Sequence, residues 1–165
     1  MPPVDSHSGP ALLVLVAVFA NDRILLQRRG RPPYQGQWAP PGGFVERGES
    51  LEAAAVREVW EETQVKLEPT ELIPSALISL PQLNQVCHGF IARLPATVPA
   101  RAVPPESLEA GWFSEGECRA LDSWEPASSV DIGVQFNFFR TPTFGIIQNT
   151  VGFLRLISAD GIRYL

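Results

Sequence analysis

Cysteine is scarce in this chain: Cys87 and Cys118 are too few for a disulfide framework and too far apart for a CxxC redox or zinc pair. That scarcity suits a reducing compartment, and a cytoplasmic location is expected. Excess positive charge is missing as well. With 13 Lys and Arg against 18 Asp and Glu, a net charge of −5 and a pI near 5.0, the chain has no general basic surface for gathering nucleic acid. No nucleic-acid partner is expected. Nor is there a long hydrophobic run, since the apolar stretch Ala11 to Ala20 is about half the roughly 20 residues that a membrane helix needs. No basic n-region or small-residue cleavage pattern frames it as a signal peptide, so no membrane association is expected. Internal repeats and low-complexity tails are absent too.

What is present is enough hydrophobic residue, 45% of 165, to build one core, and the length is that of one domain. The expectation is a single domain over residues 1–165, with residues 1–10 a flexible N-terminus and residues 130–165 a C-terminal segment of unassigned structure. Ala11 to Ala20 reads as a strand covered on both faces, because its β-branched residues show no polar alternation. Asn21-Asp22 is the turn and Arg23 to Gln27 the returning strand. Leu72 to Leu80, Gln85 to Leu94 and Leu108 to Phe113 read as further strands, with a break at Pro81 and a Pro-rich connection from Pro95 to Pro105. Ser114 to Leu121 suits a short helix. Near the end, Phe153 to Ile157 and Ile162 to Leu165 flank Asp160-Gly161, a favourable hairpin dipeptide. Val130 to Asn149 fits neither period cleanly.

Between the first strands and the helix lies Arg28 to Gly43, whose Gly and Pro residues argue against helix or ladder and for a long functional loop. Ser50 to Thr63 then reads as a helix, with Ser50 as its cap, Glu52 in the first turn and no interrupting proline. Its Ala55, Val56 and Val59 lie on the flank suited to pack on a sheet.

Glu58, Glu61 and Glu62 stand at i, i+3 and i+4 of that helix, so at about 100° per residue their side chains form one acidic stripe. Like charges at i and i+4 oppose a helix by roughly 0.2 to 0.5 kcal/mol per pair. The stripe therefore calls for a compensating cation or for full solvation, and a hard divalent ion with carboxylate ligands supplies the first. An isolated Glu pair would more often be a solvated surface face. Here the Pro40-Pro41-Gly42-Gly43 loop, Glu49 before the helix and Arg57 beside Glu58 favour a site. Glycine lets a ligand approach the main chain, and Arg57 has the planar fork needed to hold Glu49 bidentately.

Gly43, Glu49 and Arg57-Glu58-Val59-Trp60-Glu61-Glu62-Thr63-Gln64-Val65 resemble the Nudix box: a glycine, a glutamate six positions on, Arg-Glu eight and nine further, an aliphatic residue, a Glu pair, a glycine and another aliphatic residue. Gln64 departs from the pattern, which has a glycine there to end the helix in a left-handed conformation; a non-glycine residue adopts it at about 1 to 2 kcal/mol. The resemblance implies an α/β fold, the Nudix α/β/α sandwich with a central mixed β-sheet. It also implies a Mg²⁺ or Mn²⁺ cofactor held by Glu58, Glu61 and Glu62 with the Gly43 carbonyl, and a platform organised by Glu49 and Arg57. In this reading Glu61, Glu58, Arg57 and Glu49 are the catalytic set. The general base stays open between Glu61 and the later Glu106, Glu109, Glu115 and Glu125, each of the later four reading more readily as a solvated surface acid.

Arg28, Arg29 and Arg31 lie just ahead of the Gly-rich loop, where contact with substrate phosphates and plain solvation are equally open readings. Trp38 and Tyr34 suit packing beneath the loop better than base stacking. His7 and His88 are isolated. Ser79-Leu80-Pro81, Asn84-Gln85-Val86 and Glu106 to Phe113 are similar to a Nudix subgroup that often carries a zinc ribbon and cleaves ADP-ribose, FAD or NADH, although the ribbon cysteines are missing here. Pro81, sixteen positions after Val65, is similar to a proline that marks ADP-ribose hydrolases and joins the substrate-binding set. The resemblance thus implies a pyrophosphohydrolase acting on a small nucleotide, a nucleoside diphosphate linked to another moiety, and working as a homodimer. A MutT-like triphosphate hydrolase and a noncatalytic nucleotide-sensing module are the alternatives.

Overall fold

A computed structural model describes residues 9–32, 34–121, 146–148, 154–158 and 161–164. Strands β1 (Ala11–Ala20) and β2 (Arg23–Arg29) are joined by Asn21 and Asp22. Asn21 takes φ 54°, a left-handed conformation in which Asn is enriched among non-glycine residues. Two very short strands follow, β3 (Trp38–Ala39) and β4 (Gly42–Phe44), then helix α1 (Leu51–Thr63). Next come β5 (Ile73–Leu80), β6 (Gln85–Leu94), β7 (Ser107–Ser114) and helix α2 (Glu115–Arg119). Strands β8 (Ile146–Gln148), β9 (Leu154–Ser158) and β10 (Gly161–Tyr164) form a separate antiparallel sheet.

The main sheet runs β3-β2-β1-β6-β5, with β4 also paired to β1 and β7 to β2. It is mixed: β1 and β6 are parallel from Ala11↔Gln85 to Ala20↔Leu94, and the other pairings are antiparallel. Strand β1 meets β2 only at Phe19 and Ala20, and β4 takes the same side at Leu13 to Leu15. The two-residue period of a strand separates the faces. Val14, Val16, Val18 and Leu25 turn to one side, where Ala54, Ala55 and Val59 of α1 cover them together with Phe90. Phe19, Ile24 and Leu26 turn to the other, against Trp38 and Cys118 of α2. Helices on both faces make the α/β/α sandwich. Val59 is fully enclosed, and burying a side chain of that size contributes about 1.5 to 3 kcal/mol.

Several boundaries differ from the sequence expectation. The stretch Arg28 to Gly43 is not free of ladder: Arg28 and Arg29 continue β2, and β3 and β4 pair with β2 and β1. Proline does not prevent this, because Pro40 and Pro41 sit between the two short strands, where no ladder donor is required. Coverage of β1 on both faces holds only at its end, Val18 to Ala20; Leu12 is 49% exposed. Gly161 pairs with Ser158 inside the β9–β10 ladder, so it is not a turn residue. Residues 1–8, most of the expected flexible N-terminus, lie outside the described residues. The same is true of Glu125 and of Val130 to Asn149 apart from β8. Among the described residues no helix is long and apolar enough to cross a membrane.

Candidate metal-binding active site

Two elements make the site, β4 and the helix it leads into. Ser50 caps α1 by accepting from the Ala53 amide at 3.1 Å, and Glu52 occupies the positive first turn. The helix lies directly over β4. The Gly42 amide donates to Glu62 Oε2 at 2.9 Å, and a Cβ on Gly43 would stand 2.5 Å from the Glu58 carboxyl carbon. Both acids therefore rest on glycine backbone that no larger residue could replace without displacement. On its other side Gly42 closes on β1, where a Cβ would meet the Val14 carbonyl at 2.2 Å.

Arg57 is the hub of the acids. Its Nε and Nη2 donate to the two oxygens of Glu49 at 2.8 and 2.9 Å, the expected fork-to-fork pair. Nη2 also reaches the Phe44 carbonyl at 2.9 Å, while Nη1 donates to Glu58 at 2.7 Å and to Glu61 at 3.2 Å. This bonding, with a further contribution from the Glu46 amide, lowers the Glu49 carboxyl to about 2. Glu49 in turn holds the guanidinium more firmly protonated. Burial pushes the Glu58 carboxyl up, and the Arg57 bond opposes that. The charge compensation that the acidic stripe requires is thus supplied for Glu58 and Glu61 by Arg57, and Glu62 has a backbone amide.

The residues fit a hard divalent ion in kind, being carboxylate oxygens on one helix face beside a glycine-lined strand. Convergence is another matter: among the described residues no three His, Cys, Asp or Glu side chains are gathered as a metal-ion site. Glu58 and Glu62 are mostly enclosed, whereas Glu61 is 48% exposed and is the acid with room to turn.

The other candidates are dispersed. Arg28 alternates to the α2 face, where it donates to the Gly36 carbonyl at 2.8 Å and pairs with Glu109 at 2.8 Å. Arg31 pairs with Glu106 at 2.7 Å. Two of the later general-base candidates are therefore arginine partners, as Glu61 is of Arg57, and Glu115 is the first residue of α2. Pro81 opens a single 3-10 turn after β5, on the sheet edge two strands removed from β1 and three from β2 where the arginines lie. Trp38 packs edge-on to Phe113 at 5.0 Å between ring centroids, as its packing role predicts. His88 is half-buried beside Phe90, and burial lowers its imidazole pKa. The roles of the Gly42 amide and the Phe44 carbonyl were missed from sequence; the only local signal was the glycine doublet itself.

The NUDIX domain family model matches residues 9–130. The chain belongs to this family. Nudix proteins generally use divalent metal ions. This Nudix chain is 48% identical over 54 residues to an ADP-ribose pyrophosphatase of Methanocaldococcus jannaschii, a match covering 33% of the chain and 32% of that relative. It is 34% identical over 101 residues to the NAD-capped RNA hydrolase NudC of Pectobacterium carotovorum, covering 61% of the chain and 37% of the relative. It thus spans about a third of the length of these curated relatives. Among solved structures, a NUDIX hydrolase of Nitrosomonas europaea superposes with TM-score 0.74 at 29% identity, covering 87% of this chain and 81% of that one.

Proposed function

We propose that this Nudix chain is a pyrophosphohydrolase that uses Mg²⁺ or Mn²⁺ to cleave the diphosphate of a nucleoside diphosphate linked to another moiety, such as ADP-ribose or FAD, releasing a nucleoside monophosphate. The observation that carries the reading is the seating of Glu58 and Glu62 on the Gly42-Gly43 backbone, with Arg57 clamped between Glu49 and the acid stripe. The archaeal ADP-ribose pyrophosphatase, 48% identical to this chain over 54 residues, supports the substrate class.

In this reading Glu58, Glu61, Glu62 and the Gly43 carbonyl would hold the metal. When bound, the ion offsets phosphate charge and acidifies a bound water. Arg57 and Glu49 act as positioning residues: their paired forks fix the loop against α1, and positioning with electrostatics is most of what phosphoryl transfer demands. Glu61, 48% exposed and held by Arg57 at 3.2 Å, would either join the other acids in holding the ion or accept a proton from the attacking water. Arg29, beyond Gln27 on β2, meets the substrate phosphates, and Arg31 exchanges its exposed ion pair with Glu106 for them at little cost, since such pairs are worth about 0 to 1 kcal/mol. A small nucleotide partner, a homodimeric assembly and a cytoplasmic location complete the proposal.

The test is AMP release from ADP-ribose, FAD, NADH and diadenosine polyphosphates, alongside dGTP hydrolysis, in Mg²⁺, Mn²⁺ and EDTA. Metal-dependent cleavage of a diphosphate-linked substrate, lost at least 100-fold in a folded Glu62→Gln variant, is expected. Hydrolysis of dGTP alone, or near-normal turnover by Glu62→Gln, overturns the reading.

A further inference from the structure

The alternation along β2 that sends Leu25 into the core beneath α1 sends Gln27 to the same face. Gln27 is fully enclosed, yet neither its Oε1 nor its Nε2 has a hydrogen-bond partner. Buried side-chain amides are nearly always paired, so an amide with both ends unpaired calls for an explanation in function. Its flanking positions across the sheet are Ala39 on β3 and Ala110 on β7, the smallest side chains that keep a strand regular. One row along, the Gln37 carbonyl accepts from the Arg29 amide at 2.8 Å, and Gln37 leaves its own Oε1 buried and unpartnered. Ala39 is also three residues from Gly42, whose amide holds Glu62. Both ends of the Gln27 amide and the Gln37 Oε1 are therefore buried without partners, on and beside the strands that lead into β4 and its acid-bearing helix.

We infer that Gln27 is a specificity-determining contact that pairs through both ends of its amide with a planar group presenting a hydrogen-bond donor beside an acceptor. Adenine and a carboxamide share that chemistry, and glutamine matches the adenine edge bidentately. The inference rests on the proposed pyrophosphohydrolase activity, whose substrates carry one or both groups. Because the amide is fully enclosed, the contact requires its surroundings to open on ligand entry. Discrimination should be strong, because a ligand lacking the matching edge leaves buried polar groups unpaired.

Calorimetric binding of AMP, nicotinamide mononucleotide and ribose 5-phosphate to the native chain and to Gln27→Met tests this without turnover. AMP carries only the adenine edge, nicotinamide mononucleotide only the carboxamide, and ribose 5-phosphate neither. The expected result is a loss of at least tenfold in affinity for one of the first two, with ribose 5-phosphate within twofold and the melting temperature of the free variant unchanged or raised. Gln27→Leu serves if Gln27→Met does not fold. Affinities of both nucleotides within twofold of native, an equal loss for all three ligands, or no nucleotide binding by the native chain would each overturn the inference. AMP release from the substrate panel, measured separately, decides the underlying activity whatever Gln27 does.

Discussion

Arg57 and Glu49 meet fork to fork, with two bonds of 2.8 and 2.9 Å that tie the loop before α1 to the middle of the helix eight residues on. The side chains of both are largely enclosed, 23% and 15% exposed, so the pair is shielded from water more than an ordinary surface bridge. Because the same guanidinium also holds Glu58, Glu61 and the Phe44 carbonyl, the loop, the strand and the acid stripe share one cation.

Arg57→Lys is expected to destabilise the protein by about 1 to 3 kcal/mol, since an ammonium cannot make the bidentate pair and leaves enclosed acceptors unmet. Urea denaturation measures the loss. An unchanged midpoint would show that the fork geometry is not needed for the fold.

The Glu49 carboxyl is lowered from an ordinary 4.5 to about 2, first by its bond to Arg57, so the folded state favours its charged form. A depressed folded pKa gives stability that is fully present above the unfolded value and is lost as pH falls through the folded one. The melting-temperature difference between the native chain and Glu49→Gln should therefore be constant above about pH 5 and close between about pH 4.5 and 2. A gap that widens on acidification would contradict the pairing.

The two glycines of β4 should fail differently. Gly42→Ala drives a methyl group into the backbone of β1, 2.2 Å from the Val14 carbonyl, and overpacking of that kind costs about 1 to 3 kcal/mol or more. Gly43→Ala meets only the end of the Glu58 side chain, which can swing aside. Thermal melts paired with AMP-release assays should show a large stability loss for the first, and for the second a loss of activity of at least tenfold with little change in melting.

Gln64 ends α1 at φ 58° and ψ 19°, the left-handed cap expected at the family's glycine position. Its side chain offsets part of the strain: backbone N and Nε2 both donate to the Trp60 carbonyl, at 2.9 and 2.8 Å. Gln64→Gly removes the strain together with the extra bond and should alter stability by less than about 1 kcal/mol, whereas Gln64→Ala keeps the strain without the bond and should cost about 1 kcal/mol. Equal stability of the Ala and Gly variants would refute the account.

The sequence by itself determined the parts of this protein whose physics is local. A cap at Ser50, an uninterrupted helix to Thr63 and carboxylates at i, i+3 and i+4 follow from propensity and helical period, so α1 and its acid stripe were legible residue by residue. So was the Glu49–Arg57 pair, because both members belong to one loop-helix unit. Tertiary structure decided whatever depends on neighbours distant in the chain. The pairing of β3 and β4 with β2 and β1 could not be read from a Gly- and Pro-rich stretch, since two- and three-residue strands carry no period of their own. Nor could the partition of the arginines: Arg28 is drawn to Glu109 on β7 and Arg31 to Glu106 in the turn before it, acids far along the chain from either arginine. Gln27 is the sharpest case. A glutamine among apolar residues reads as the polar position of a strand, and only the packing of the sheet under α1 encloses its amide without a partner.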